Sequence, residues 1–145
     1  MRHAFLLATA ILLCACGSSS KRALVVHVRG ASSTAPIASK CFLFLRQRVV
    51  GGGAETYCLE TYSGHPGPNA TLKDQGLMTL SLPNRTIRAR VHIVAKFAAD
   101  GRHATQTLSG TVLGGGSITG GGPYVESPPG HVESANLRYV ITLTA

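Results

Sequence analysis

The stretch from Ile87 to Phe97, IRARVHIVAKF, decides the fold class of this 145-residue chain. Its odd-numbered positions are all apolar, and its even-numbered positions are Arg, His or Lys, with Val94 as the one exception. Successive side chains of a β-strand point to opposite faces of a sheet. The alternation therefore predicts one long strand with a buried face and a solvated face.

The dipeptide Asp100-Gly101 follows this strand and predicts a tight hairpin turn. With the turn centred there, Phe97 faces Ala104 at one end of the hairpin and Ala89 faces Val112 at the other. In this register the apolar and polar side chains stay on separate faces along the whole ladder. A slip of one residue would mix the two faces, so the register is strongly specified.

Gln106 breaks this pattern, because it pairs with Ala95 on the inward face of the hairpin. One explanation is a hydrogen-bonded core amide or a partly open barrel end. The other is a polar group that orients a ligand inside a cavity. Together with Tyr57 and Tyr139, Gln106 is a candidate residue of a ligand-binding lumen.

The rest of the chain after residue 20 shows no helical period and contains further short runs of β-favouring residues between turn residues. They include Leu24–Val28, Cys41–Leu45, Leu77–Leu82 and Leu137–Leu143. The glycine-rich runs at 51–53 and 114–122 predict turns. We expect about eight strands, enough to close an antiparallel β-barrel around side chains or one small ligand. A two-sheet β-sandwich is the alternative all-β fold.

The N-terminal sequence MRHAFLLATAILLCAC has a short basic start and an apolar run of about a dozen residues, too short to span a bilayer as a helix. It ends in Leu13-Cys14-Ala15-Cys16, which resembles a bacterial lipobox. We expect a signal peptide at 1–15, lipidation of Cys16, a tether at 16–22 and one domain at 23–145. Two or three acyl chains would hold the protein on a membrane of the bacterial cell envelope. The alternative is ordinary secretion as an extracellular protein.

Cys41 and Cys58 are the two cysteines left for an oxidising compartment, where a disulfide between them is a candidate bond. A hairpin turning at Gly51–Gly53 argues against it, because Cys58 would then face Arg46. Cys41 would lie five residues further along the ladder, roughly 16 Å away and far beyond bridging distance. Either the hairpin or the disulfide must be wrong, and we favour the disulfide.

Composition and motifs exclude several function classes. The net charge is +8, but the basic residues are dispersed and are not interleaved with aromatic residues, so no nucleic-acid partner is expected. The histidines lack close metal-ligand spacing, so no metal site is expected. The chain contains neither a Gly-x-Ser-x-Gly elbow nor a phosphate-binding glycine loop. No cofactor is expected, and no catalytic residue is assigned.

The chain from about Ile87 to its C-terminus resembles the allene oxide cyclase/dirigent β-barrel superfamily. The matching pieces are Phe97, Asp100-Gly101, Gly110-Thr111-Val112, Ser117-Ile118-Thr119-Gly120-Gly121, Tyr124 and Gly130. After Gly121 the sequence departs from the family pattern: Gly122-Pro123 stands one residue short of the usual element. The segment from Val125 to Gly130 is one residue longer than its family counterpart.

The resemblance implies an eight-stranded antiparallel barrel with an apolar lumen, often assembled as a homotrimer. Family members include plant cyclases, dirigent proteins and bacterial cyclases, but none of their catalytic positions maps onto this chain. We expect a non-catalytic module that binds a small apolar ligand or an envelope partner. The alternatives are a cyclase or isomerase that uses the lumen as a template, and a structural envelope lipoprotein. Several polar groups converging in a wide cavity would favour the enzyme.

Overall fold

The computed structural model describes residues 22–34 and 40–144, and these residues form eight strands and no helix. In chain order they are β1 (Arg22–Thr34), β2 (Leu43–Val49), β3 (Ala54–Ser63), β4 (Thr71–Leu82), β5 (Arg85–Phe97), β6 (His103–Val112), β7 (Gly116–Glu126) and β8 (Val132–Leu143). Each strand pairs antiparallel with the next, and β8 pairs with β1, so the sheet closes into a barrel. The predicted eight-stranded antiparallel barrel is therefore confirmed, and the β-sandwich alternative is wrong.

The N-terminal predictions lie outside the described residues. This applies to the signal peptide, to the lipidation site Cys16 and to the tether before Arg22. β1 begins at Arg22, one residue before the expected start of the domain. Within the described ranges, no helix has the length and apolar character needed to cross a membrane.

The hairpin of β5 and β6 has the register that its turn sequence predicts. Phe97 faces Ala104, Ala89 faces Val112, and the inward Gln106 faces Ala95. Asp100 holds the turn, because its Oδ1 atom accepts backbone N–H groups from Arg102 and His103 at 2.9 and 3.0 Å. Gly101 adopts φ +69°, a conformation that glycine reaches without strain.

The hairpin of β2 and β3 corrects the predicted register by two residues. Cys58 faces Phe44, whereas its predicted partner Arg46 faces Thr56. The turn includes Val50 as well as the three glycines, and the Gly52 N–H donates to the Val49 carbonyl at 3.2 Å. A shift of two residues keeps every side chain on the same face, so the hydrophobic pattern does not distinguish the two registers.

The conflict between this hairpin and the disulfide disappears in the structure. β2 begins at Leu43, so Cys41 lies before the ladder and not on it. The chain bends at Phe42, whose N–H donates to the Leu59 carbonyl at 2.8 Å. This bend brings the Cα atoms of Cys41 and Cys58 to 5.2 Å, and the two cysteines form a disulfide.

The glycine-rich segment 114–122 is mostly strand, which corrects the prediction of a turn. Only Leu113–Gly115 form the turn, and β7 runs through Gly120, Gly121 and Gly122. At Gly121 the φ angle is +143°, and a Cβ atom there would collide with the Gln106 carbonyl on β6. Only glycine fits this extended backbone, because L side chains rarely adopt such positive φ values.

The inward side chains fill one end of the barrel completely. Those that are almost fully buried include Val28, Met78, Leu80, Val91, Ile118, Tyr139 and Ile141. They come from β1, β4, β5, β7 and β8 and belong to one continuous apolar cluster. A barrel of eight strands is narrow enough for side chains alone to fill it at this end. The other end is not filled, and the candidate functional site lies there.

Candidate functional site

The unfilled end of the barrel contains a cavity of about 380 Å³ that opens to solvent at its rim. Its walls are largely apolar and come from seven strands, β2 to β8. The apolar side chains that line it are Leu43, Leu45, Leu59, Leu72, Ile93, Val132, Ala135 and Leu137. Phe42, Tyr62, His65 and Pro129 lie at the rim. Ligand pockets in proteins usually have this volume and this mainly apolar lining.

Two of the three residues proposed from the sequence as lumen candidates line this cavity. Gln106 and Tyr57 line the cavity, and Tyr139 is fully buried behind it. The amide Nε2 of Gln106 donates to the Tyr139 hydroxyl at 3.3 Å. Gln106 therefore has a protein partner and is also in contact with the cavity.

Three carboxyl groups that were not predicted from the sequence also line the cavity. They are Glu55 on β3, Asp74 on β4 and Glu126 on β7. The lumen, which the family resemblance implies to be apolar, therefore also contains carboxyl groups in this half of the barrel. The strand alternation contained the signal, since Glu55 shares its phase with the inward Tyr57.

The environment of Glu55 shifts its acidity strongly. Glu55 is 5% exposed, and its desolvation in the barrel raises the pKa of its carboxyl to about 7. A hydrogen bond from Tyr139 acts in the opposite direction, because it stabilises the carboxylate. Glu55 thus changes its charge near neutral pH, which is unusual for a carboxyl group.

The pKa values of Asp74 and Glu126 are also raised, and Glu126 contributes to the shift of Asp74. Burial and the nearby Glu126 raise the pKa of Asp74 to about 6. Burial also raises the pKa of Glu126, although the N–H of Gly130, 2.6 Å from its Oε1 atom, favours the ionised form. Each of the cavity carboxyls is therefore more difficult to ionise than a carboxyl group in water.

The tyrosines around the cavity remain neutral. Burial raises the pKa values of Tyr57, Tyr124 and Tyr139, and nearby carboxyl groups raise them further. For Tyr57 these groups are Asp74, Glu60 and Glu55, in order of decreasing effect. The hydroxyls are thus available as hydrogen-bond donors and acceptors, but not as phenolates at neutral pH.

Three buried polar atoms at the cavity have no hydrogen-bond partner among the described residues. They are Glu55 Oε2, the Tyr57 hydroxyl and Asp74 Oδ1. Leaving a buried polar group without a partner costs about 1–3 kcal/mol. All three belong to residues that line the same cavity. The cavity lining therefore offers a ligand several oxygen atoms with which it can form hydrogen bonds.

The disulfide fixes one side of the cavity rim. Cys41 is bonded to Cys58, and Phe42 follows directly at the rim. The Phe42 ring packs edge-on against Tyr62, with ring centroids 5.5 Å apart. Both aromatic rings are at least half exposed. The bond therefore holds an exposed aromatic pair beside the entrance.

Other parts of the described surface offer less. A more open hollow of about 550 Å³ includes Lys96, Thr105 and Pro123 near its edge, but none of the three unpartnered atoms. Within residues 22–34 and 40–144, no group of three or more His, Cys, Asp or Glu side chains is arranged to hold a metal ion. Of these two hollows, the internal cavity is the one that contains the buried carboxyl groups and the unpartnered polar atoms.

Fold and site define a small closed β-barrel whose internal cavity combines apolar walls with buried carboxyl and phenol groups. No protein-family model matches the chain, and comparisons with curated proteins and with solved structures give no significant match. The function must therefore be argued from the cavity itself.

Proposed function

We propose that this protein binds a small molecule with an apolar body and a polar end in the unfilled half of its barrel. One observation carries the proposal: the cavity of about 380 Å³ is lined by apolar walls and contains buried polar atoms that have no hydrogen-bond partner in the described part of the chain. A polar end of the ligand forms hydrogen bonds with some of these atoms, and its apolar part is buried against Leu45, Leu72 and Ile93. Binding of this kind is the usual use of a cavity of this size. A purely structural barrel would need no such cavity.

A fluorescent apolar probe tests this proposal directly. N-phenyl-1-naphthylamine is neutral at pH 7 and becomes bright in apolar surroundings, and we expect it to bind at one site per chain. Ala135→Phe narrows the cavity and should abolish the signal, because Ala135 lines its wall. Ser134→Phe is the matched control, since Ser134 is the exposed neighbour on β8. Absence of probe binding, or equal binding by the two variants, would contradict the proposal.

The second candidate function is acid–base catalysis by an isomerase or cyclase. Glu55 favours it, because a general acid or base works best with a pKa near the working pH and its pKa is about 7. The convergence of Glu55, Tyr57 and Gln106 on one cavity is the arrangement expected of an enzyme. Such a reaction would need neither a metal nor a nucleotide cofactor.

Hydrogen exchange of a simple ketone tests this second candidate. In deuterated water, a catalytic carboxylate should accelerate exchange of the α-hydrogens of 4-phenyl-2-butanone. We expect Glu55→Gln to remove the acceleration, because an amide does not accept the proton. Glu133→Gln should retain it, since Glu133 lies on the outer surface and pairs with Arg102 at 3.0 Å. Equal exchange rates for the two variants would exclude Glu55 as the base.

We also propose that the barrel is exported and held on a membrane of the cell envelope by lipid on Cys16. The lipobox-like sequence supports this location, and so does the disulfide, because such bonds persist in oxidising compartments. Cys16→Ser should move the protein from the membrane fraction to the soluble fraction. Continued membrane association would contradict the anchor. The homotrimer implied by the family resemblance is a separate proposal, which sedimentation equilibrium tests.

A further inference from the structure

A separate hollow lies on the outer wall of the barrel, where the ladder between β1 and β2 is interrupted. Arg29 faces Arg48 and Ser33 faces Arg46, so β1 has two more residues than β2 between these pairs. An interruption of this kind is a β-bulge. The hollow beside it has a volume of about 480 Å³ and shares one lining residue, Gln47, with the internal cavity. We call it the arginine hollow.

Ser32 holds the bulge against the neighbouring strand β8. Its side chain is buried, its Oγ accepts the Val132 N–H at 3.0 Å, and it donates to the Val132 carbonyl at 3.3 Å. Gly30 lies on the outer side with φ +96°, and a Cβ atom there would meet no atom within 4 Å. The bulge is therefore fixed from inside the barrel and open to solvent on the outside.

Three exposed arginines line the hollow, namely Arg29 on β1 and Arg46 and Arg48 on β2. Arg29 and Arg48 are directly opposite each other, which places their Cβ atoms about 5 Å apart on one face of the sheet. Arg46 lies two residues from Arg48 on the same face, about 7 Å along the strand. The register therefore brings three long basic side chains within reach of one bound group.

The closure of the barrel adds more basic residues beside the hollow. His27 precedes Arg29 on the outer face of β1, and it faces the exposed Arg138 on β8. These residues are dispersed in the sequence, and only the pairing of β8, β1 and β2 brings them together. The hollow thus lies in the most basic part of these three strands.

No acidic side chain balances the positive charge of the arginine hollow. All six acidic residues of the chain lie in its described part, and three of them, Glu55, Asp74 and Glu126, line the internal cavity. The other three contact basic residues elsewhere, in the pairs Glu60–Arg90, Asp100–His103 and Glu133–Arg102. Within residues 22–34 and 40–144, the three arginines of the hollow therefore form no ion pair.

The arrangement favours a bound anion. Like charges directly opposite each other on neighbouring strands destabilise a sheet, and an anion between Arg29 and Arg48 relieves that repulsion. A guanidinium group donates two parallel hydrogen bonds to a phosphate, a geometry that lysine does not offer. The small residues Gly30, Ala31 and Ala54 also line the hollow and leave room for such a group.

We propose that the arginine hollow is a second binding site, which holds a phosphate group of an anionic ligand among Arg29, Arg46 and Arg48. It lies outside the barrel and does not depend on the ligand proposed for the internal cavity. A lipid headgroup and a soluble phosphate compound share this chemistry, and the experiments below distinguish them.

Calorimetry with inorganic pyrophosphate tests the site in the full chain. We expect one pyrophosphate per chain, and at least tenfold weaker binding when Arg46→Gln and Arg48→Gln are combined. The matched control combines Arg88→Gln and Arg90→Gln, because these exposed arginines are also spaced two residues apart on the outer face of one strand, β5. It has the same net charge and should bind within twofold of the parent. Equal weakening in both variants, or no binding at millimolar concentrations, would overturn the proposal.

Sedimentation with vesicles identifies the source of the phosphate. All proteins carry Cys16→Ser, so that no lipid on Cys16 holds them on the vesicles. The vesicles are phosphatidylcholine alone, whose headgroup has no net charge, or an equal mixture with anionic phosphatidylglycerol. Binding to the mixture that is lost in the Arg46 and Arg48 variant, but not in the control, supports the site with a lipid headgroup as its ligand. Absence of vesicle binding, together with pyrophosphate binding that needs Arg46 and Arg48, supports it with a soluble phosphate compound.

Discussion

Replacing Glu55 by Gln should stabilise the barrel at high pH and have almost no effect at low pH. Glu55 is 5% exposed, and its pKa rises from 4.5 to about 7 on folding. In the window between these values the folded state holds a proton that the unfolded state has lost. Stability therefore falls as the pH rises from about 4.5 to about 7 and reaches its lower level above that window.

The size of the effect follows from the shift in the pKa of Glu55. At about 1.4 kcal/mol per pKa unit, the change from 4.5 to about 7 corresponds to a loss of about 3 kcal/mol above pH 8. Gln has nearly the shape of Glu and does not ionise. Glu55→Gln should therefore gain about 3 kcal/mol at pH 8, on the order of 10 °C in Tm for a domain of this size. Near pH 4 both proteins hold a neutral side chain, and the difference should be close to zero.

Urea denaturation from pH 4 to pH 9, followed by circular dichroism, measures this difference. The control is Glu133→Gln, which removes an exposed partner of Arg102. Exposed ion pairs contribute at most about 1 kcal/mol, so this variant should change the stability little. Parallel stability curves for Glu55→Gln and the parent protein would refute the reasoning. They would mean that the Glu55 carboxyl ionises as easily in the barrel as in water.

Three further changes test the parts of the fold that support the cavity. Cys41→Ala combined with Cys58→Ala should lower the free energy of unfolding by about 3 kcal/mol, because the bond closes a 17-residue loop; urea denaturation with and without reductant measures this. Gly121→Ala should lower the free energy of unfolding by at least about 2 kcal/mol, because the φ angle of Gly121 is +143° and β6 leaves no room for a Cβ atom. The control Thr119→Ala, on the same strand, should change the free energy of unfolding little. Asp100→Ala should lower Tm at pH 7 but not near pH 2, because two backbone N–H bonds hold the pKa of Asp100 at about 2 and protonation removes its advantage; a Tm unaffected at pH 7 would contradict this.

Alternation and turn chemistry predicted the β5–β6 hairpin to the residue. The inward and outward faces of Ile87–Phe97 differ along the whole strand, and Asp100-Gly101 fixes the turn. The β2–β3 hairpin was predicted less well, because Gly51–Gly53 allow several turn lengths. Registers that differ by two residues keep the same faces buried, so only the packed barrel selects between them.

The cavity was predicted in part. Gln106 stood out because it interrupts an otherwise clean apolar face. Glu55 and Asp74 were not predicted, because they lie outside the purely apolar portions of their strands. Asp74 has the same phase as Met78 and Leu80, so extending that alternation backwards would have placed a carboxyl inside the barrel. Which inward side chains meet at one end depends on strand stagger, and a single sequence does not contain that information.

The polar groups in the cavity stabilise neither the sheet nor the apolar core. An apolar side chain at Glu55 would remove a penalty of about 3 kcal/mol. The Tyr57 hydroxyl, which has no partner within residues 22–34 and 40–144, adds a penalty of about 1–3 kcal/mol. The disulfide at the rim contributes a stabilisation of the same order, about 3 kcal/mol. Residues that lower the stability of a fold occur most often at functional sites. In this barrel such residues occur together in one cavity, and the cluster behind it is apolar except for its tyrosine hydroxyls. Because the destabilising groups occur together and face an open space, a bound ligand accounts for them better than a defect of packing does.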